Sequence, residues 1–144
     1  DEEVVTTGLG PKVSGNDYVS FDYFMSIKHP NNAKFLKNFR KKFGQDALMN
    51  TVGVAMYNAA HMAALAIEKA GKLDTASLRE NLKGISFNDA PQGPVTMRKD
   101  DNQIIVPSYL MQVDPSWTNV GNMFNEVQSF QKVVPLAARC SLPL

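Results

Sequence analysis

Apolar residues recur at the three- and four-residue spacing of a helix in three segments of the chain. These segments cover about 31–43, 50–70 and 75–83. Each starts at or next to a residue whose side chain can accept hydrogen bonds from free helix amides, and for the first helix we expect Asn31 or Asn32 in that role. Its apolar stripe consists of Phe35, Leu36, Phe39 and Phe43. Lysines and an arginine occupy the remaining face, which we interpret as solvated.

The segment 50–70 is the longest of the three and the most apolar. Asn50 or Thr51 is expected to cap its start, and Gly71 to end it. The residues repeating at helical spacing are Val52, Ala55, Ala59, Met62, Ala63 and Ala66. Strongly polar residues are few along this helix, so most of its circumference must be covered. We expect it to need a parallel sheet that these 144 residues do not supply.

Four segments are rich in β-branched and aromatic residues, and we predict strands at 18–26, 93–97, 103–113 and 127–134. Pro107 within the third of these indicates an edge or a bulge, because proline cannot donate to a sheet ladder. The segments 85–92 and 114–125 are predicted as loops. Residues 1–10 are predicted to form a short helix or turn, since they begin with acids and end with glycines.

The predicted order is therefore helix, strand, three helices and three strands, which indicates an α/β fold. Composition agrees with a globular protein, since 44% of residues are hydrophobic and 20% are charged. A net charge of +1 gives no overall field that would attract nucleic acid or an anionic membrane. No apolar run approaches the roughly 20 residues needed to cross a bilayer.

The sequence offers little support for catalysis or metal binding. His29 and His61 are far apart in sequence, whereas metal ligands occur at short spacing. His61 lies on a largely apolar helix, and we interpret it as a packing residue. The Gly-Leu-Gly-Pro run at 8–11 lacks the context of a phosphate-binding loop and is interpreted as the end of a helix. No nucleophile motif is present, so we expect neither an enzyme, a cofactor nor a metal site.

Several stretches together resemble the C-terminal portion of a type I solute-binding protein of the Leu/Ile/Val-binding family. They are DEEVVTTGLGPKVSGNDYVSFDYFMS at 1–26, PNNAKFLKNFRKKFG, MNTVGVAMYNAAHMAALAIEKAG and LRENLKG. The APQGPV segment at 90–95 is similar to a short segment of urea and short-chain-amide receptors. The ending, YLMQV followed by FQKVVPLAARCSLPL, is similar to branched-chain amino-acid receptors.

The resemblance implies part of a two-lobed fold made of first-lobe helices, hinge strands and C-terminal strands. On that basis the chain divides into the end of the second-lobe core, a hinge crossing strand, the first-lobe helices with a strand, and the C-terminal strands with a second crossing and tail. The corresponding ranges are 1–17, 18–30, 31–97 and 98–144. The implied function is ligand reception for an ABC importer, with hinge closure on a branched-chain amino acid, urea, a short amide or a related acid.

The implied partners are a small solute, the membrane subunits of the importer and a missing N-terminal part of the same protein, without nucleic acid. The implied location is periplasmic or extracytoplasmic, with a signal peptide in the precursor. Asp22, Tyr23 and Phe24 lie near the crossing and are the predicted ligand-binding residues. Cys140 is the only cysteine, and is either a free thiol or half of a disulfide whose partner lies outside this chain.

Two other functions stay open at this point. A cytoplasmic amide-sensing regulator has the same fold, and would control a protein partner. A small enzyme of unrelated α/β fold would require a concave pocket with coupled titratable groups.

Overall fold

The computed structural model describes residues 3–11 and 17–131. Four helices lie within these ranges: α1 (Glu3–Leu9), α2 (Pro30–Phe43), α3 (Thr51–Ala70) and α4 (Thr75–Leu82). Six strands accompany them: β1 (Tyr18–Phe21), β2 (Ser86–Phe87), β3 (Val95–Met97), β4 (Ile104–Ile105), β5 (Ser108–Val113) and β6 (Phe124–Phe130). The predicted α/β character is confirmed. None of the described helices combines the length and hydropathy needed to span a bilayer.

The strands form two antiparallel sheets of three strands each. The first has the order β1-β5-β6, so β1 is an edge strand that pairs Tyr18 with Gln112 and Phe21 with Tyr109. The pairing of β5 with β6 shifts register between Leu110 and Met111, which places a bulge in the middle of the sheet. The second sheet has the order β2-β3-β4.

Each sheet is associated with its own group of buried apolar side chains. The larger core joins the first sheet to α2 and the start of α3, and it includes Val19, Phe24, Leu36, Val54, Met111, Val113 and Phe124. The smaller core joins the second sheet to the middle of α3, through Met62, Phe87, Ala90 and Val95. Helix α3 therefore runs past both sheets and connects the two cores.

The cap predicted for α3 is confirmed, and the cap predicted for α2 is wrong. The side chain of Asn50 accepts a hydrogen bond from the Gly53 amide at 2.8 Å, and Asp74 caps α4 in the same way. The cap of α2 is His29 rather than Asn31 or Asn32, because Pro30 occupies the first helical position and the His29 ring nitrogen Nδ1 accepts from the Asn31 amide at 3.2 Å.

The predicted strands differ from the observed ones mainly at their ends. The strand predicted at 18–26 ends at Phe21, since the next residues turn into the core. The strand predicted at 103–113 is divided into β4 and β5, and Pro107, where an edge or a bulge was expected, lies in the break between them. β2 lies within the loop predicted at 85–92, and β6 begins at Phe124, inside the loop predicted at 114–125. The predicted end of the last strand, and Cys140, lie outside the described residues.

The face predicted for burial on α3 is confirmed at Met62 and Ala66 and wrong at Val52, Ala55 and Ala59. Its buried residues are Val54, Asn58, Met62 and Ala66. Val52 and Met56, on the opposite side, are 62% and 67% exposed, and Ala55 and Ala59 are also exposed. The hydrophobic pattern could not distinguish the two faces because both are apolar. The elements described here cover one side of α3 and leave an apolar side open.

The cap of α4 gives a prediction about pH. Hydrogen bonds from Ser77, and the nearby Lys72 ammonium, lower the pKa of the Asp74 carboxyl below its usual value of 3.8. A lowered pKa means that this carboxylate stabilises the fold above its ordinary pKa, and that the contribution is lost as pH falls through the lowered value. Asp74→Asn keeps an acceptor oxygen but cannot titrate. Urea unfolding at a series of pH values should therefore give a larger free energy of unfolding for wild type than for the variant at neutral pH, and this difference should shrink as the pH falls into the acid range. A difference that does not depend on pH would contradict the assignment.

Candidate functional site

The residues between β1 and α2 form a buried junction, which we call the anchor segment (residues 22–27). Tyr23 and Phe24 are fully buried, and Met25 and Ile27 nearly so. The Phe24 ring packs against Phe124 with centroids 5.0 Å apart. The high aromatic and apolar content of these residues explains why the chain leaves the strand here and turns into the larger core.

The side chain of Asn32, in the first turn of α2, holds the anchor segment through three hydrogen bonds. Its oxygen accepts from the Tyr23 hydroxyl at 3.0 Å, and its amide nitrogen donates to the carbonyls of Met25 and Ile27, both at 3.0 Å. Asn32 is 2% exposed, so these bonds are shielded from water. A buried amide with partners at both ends stabilises one arrangement of the backbone around it.

Helix α1 contacts the same segment through a buried carboxylate. Glu3 accepts a hydrogen bond from the Met25 amide, so both backbone polar groups of Met25 are held by side chains, one from α1 and one from α2. Burial raises the pKa of the Tyr23 hydroxyl, and the negative charge of Glu3 raises it further. Tyr23 therefore remains protonated and acts as a hydrogen-bond donor to Asn32.

Helix α3 is joined to the anchor segment at its N-terminal end. The Thr51 hydroxyl donates to the carboxylate of Asp22, and the Met49 amide donates to the sulfur of Met25 at 3.3 Å. Asp22 is half-buried, and its negative charge next to the first turn of α3 agrees with the helix dipole. Three helices thus meet at one six-residue segment.

The structure brings the three predicted ligand-binding residues together in the anchor segment but gives them different surroundings. Asp22 is half-exposed, whereas Tyr23 and Phe24 are enclosed by side chains of this chain. Their role in ligand binding stays a prediction. Sequence reasoning missed Glu3 and Asn32 as partners of this segment. An asparagine on the buried side of a helix was the one available signal for Asn32.

Apart from the buried anchor segment, a row of aromatic rings extends across α2, α3 and β2. Neighbouring centroids lie 4.4 to 6.0 Å apart along Phe43, Phe39, Phe35, Tyr57, His61 and Phe87. The His61 ring is exposed and stacks on Phe87, in agreement with its interpretation as a packing residue. Among residues 3–11 and 17–131, no three His, Cys, Asp or Glu side chains come together as metal ligands.

The architecture is part of a two-lobed periplasmic-binding-protein fold. The sequence matches the family described as periplasmic binding protein over residues 2–119, and the chain belongs to that family. It is 32% identical over 115 residues to Leu/Ile/Val-binding protein homolog 6 of Brucella abortus, an alignment that covers 78% of this chain and 29% of the relative. The chain therefore spans less than a third of the length of that relative.

Solved structures share this architecture. An amino acid ABC transporter substrate-binding protein from Pseudomonas fluorescens superimposes with a TM-score of 0.80 at 21% identity, over 94% of this chain and 36% of that one. A solute-binding protein of an ABC transporter from Rhodopseudomonas palustris HaA2, in complex with p-hydroxybenzoic acid, superimposes with a TM-score of 0.70 at 25% identity. That superposition covers 89% of this chain and 35% of the other. This chain corresponds to about a third of each of these proteins.

The junction predicts a measurable cost for losing one hydroxyl. Tyr23→Phe removes the donor to Asn32 and leaves a buried amide oxygen without that partner, which should lower the free energy of unfolding by about 1–3 kcal/mol. Tyr18→Phe is the matched control, because Tyr18 is 60% exposed and should change stability by less than about 0.5 kcal/mol. Urea unfolding of both variants measures the difference, and equal stabilities would contradict the assigned role of the hydroxyl.

Proposed function

We propose that this chain is the C-terminal part of the ligand-binding receptor of an ABC importer, and that the receptor is not catalytic. The observation that carries the proposal is the family match over residues 2–119 together with the 0.80 superposition on a transporter substrate-binding protein. Nothing in the described residues favours the amide-sensing regulator over the receptor.

The exposed apolar surface supports the view that a larger body belongs with this chain. Val52 and Met56 on α3 are about two-thirds exposed, and Val4, Val5 and Leu9 on α1 are each about half exposed. Apolar surface of this kind, when contiguous, is typical of a face that packs against another element. We propose that the open side of α3 packs against an upstream part of the same protein, because the relatives are about three times as long as this chain.

The predicted division of the chain fits a receptor that closes about a hinge. β1 and β5 are antiparallel neighbours, as expected for two crossings between lobes in opposite directions. In this proposal 1–17 ends the second-lobe core, 18–30 contains one crossing, 31–97 belongs to the first lobe, and 98–144 holds the second crossing and the tail. A ligand that contacts both lobes then favours the closed form over the open one.

We propose a small polar solute as the ligand. The solved neighbours include an amino acid transporter protein and a protein bound to p-hydroxybenzoic acid, and the APQGPV segment is similar to urea and short-amide receptors. Of the three predicted ligand-binding residues, Asp22 is the one that is partly exposed, and we propose it as the one that contacts the ligand. Tyr23 and Phe24 would shape the site from behind it.

The location and the partners follow from the same proposal. A receptor of this family works outside the cytoplasm and delivers its solute to the membrane subunits of the importer, which recognise the closed form. An oxidising compartment would allow Cys140 to form a disulfide with a cysteine elsewhere in the protein.

Isothermal titration of the full-length protein tests the proposal. Leucine, p-hydroxybenzoic acid and urea form the panel, and we expect saturable binding of one of them with a stoichiometry of one. Asp22→Asn should weaken that binding, whereas Asp100→Asn, in an exposed turn far along the chain, should leave it unchanged. Absence of binding across the panel, extended to the other branched-chain amino acids and short amides, would contradict the proposed ligand class.

A further inference from the structure

Side chains of neighbouring helices form hydrogen bonds with most residues of the anchor segment, whereas β1 is held mainly by its pairing with β5. The carboxylate of Asp22 accepts a hydrogen bond from the Thr51 hydroxyl. The Asn32 side chain is hydrogen-bonded to the Tyr23 hydroxyl and to the carbonyls of Met25 and Ile27. All four of these hydrogen bonds come from α2 and α3, the helices assigned to the first lobe. The segment is thereby held to α2 and α3 at four of its six residues, and to α1 at Met25 alone.

We propose that the anchor segment is the fixed end of the hinge, with Asn32 as the residue that positions it. On closure the backbone bends in β1 and β5, before Asp22 is reached, and not within residues 22–27. This inference rests on the proposed function, because it concerns how the receptor closes.

The cost of backbone rotation differs between the two places. Turning the peptides of 23–27 would separate buried donors and acceptors with no water to replace their partners, and each unsatisfied group is expensive. Glu3 adds a bond to the Met25 amide, which keeps the first turn of α1 at the pivot, where displacement during closure is smallest. Bending within the anchor segment would break several such bonds at once.

The strands next to the anchor segment have the opposite character. Within residues 3–11 and 17–131, β1 pairs with β5 alone and so lies at the edge of the sheet, and its Tyr18 and Ser20 are exposed. The bulge between Leu110 and Met111 interrupts the pairing of β5 with β6. It lies next to the middle of β1, because Leu110 pairs with Ser20 on the other side of β5. An edge strand opposite a bulge can change its twist at small cost.

Hydrogen exchange of the full-length protein, with and without leucine or p-hydroxybenzoic acid, tests the location of the bend. We expect the amides of 23–27 to exchange slowly in both states, and those of 18–21 and 108–113 to change on ligand addition. If the amides of 23–27 change as much as those of β1, the anchor segment is part of the bend and the inference is wrong.

Asn32→Leu tests the positioning role, and Asn58→Leu is its matched control. Both asparagines are buried, at 2% and 3% exposure, but the Asn58 side-chain oxygen has no hydrogen-bond partner among the described residues. Asn32→Leu should speed exchange of 23–27 by at least about tenfold and broaden the distance distribution between labels on the two lobes. Asn58→Leu should do neither.

The outcomes separate a hinge role from a merely structural one. If Asn32→Leu lowers the melting temperature but leaves both the exchange of 23–27 and the interlobe distances unchanged, Asn32 does not position the hinge. If that variant does not fold, Tyr23→Phe removes one of the three bonds and should give a smaller change in the same direction. If no probe binds, the proposed ligand class fails, whereas the ligand-free exchange of these variants still tests the anchor segment.

Discussion

The constraint on which this structure depends is the apolar circumference of α3. One side of the helix contributes Val54 to one core and Met62 to the other, so α3 supports both small antiparallel sheets. The other side carries Val52 and Met56 into the open. A helix that is apolar on both sides is typical of one placed between two layers, and this chain provides one of them.

The anchor segment shows how a local sequence can join several elements. Its aromatic residues turn the chain from β1 into the core, and side chains of three helices form hydrogen bonds with Asp22, Tyr23, Met25 and Ile27 in this turn. Apolar burial therefore determines where the segment lies, and the hydrogen bonds of Asn32 and Glu3 determine its backbone course.

Much of the fold could be predicted from the sequence, because the helices follow strong local patterns and end at Gly44 and Gly71. Sequence periodicity could not decide which side of α3 is buried within this chain, because the choice depends on neighbours distant in sequence. The His29 cap was missed because asparagine is the commoner cap, whereas Pro30 fixes the first turn one residue earlier. The partners of the anchor segment were also missed, since Glu3 and Met25 meet only through tertiary packing.

The most direct test of the central claim compares Met56→Glu with Leu73→Glu in the full-length protein. Both side chains are exposed in this chain, at 67% and 82%, but Leu73 lies in the turn before α4, away from the open side of α3. If the upstream part of the protein covers α3, Met56→Glu buries an unpaired charge and lowers the free energy of unfolding by about 3–5 kcal/mol, whereas Leu73→Glu has almost no effect. Equal and small effects of the two substitutions would show that the open side of α3 stays in water, and would contradict the account.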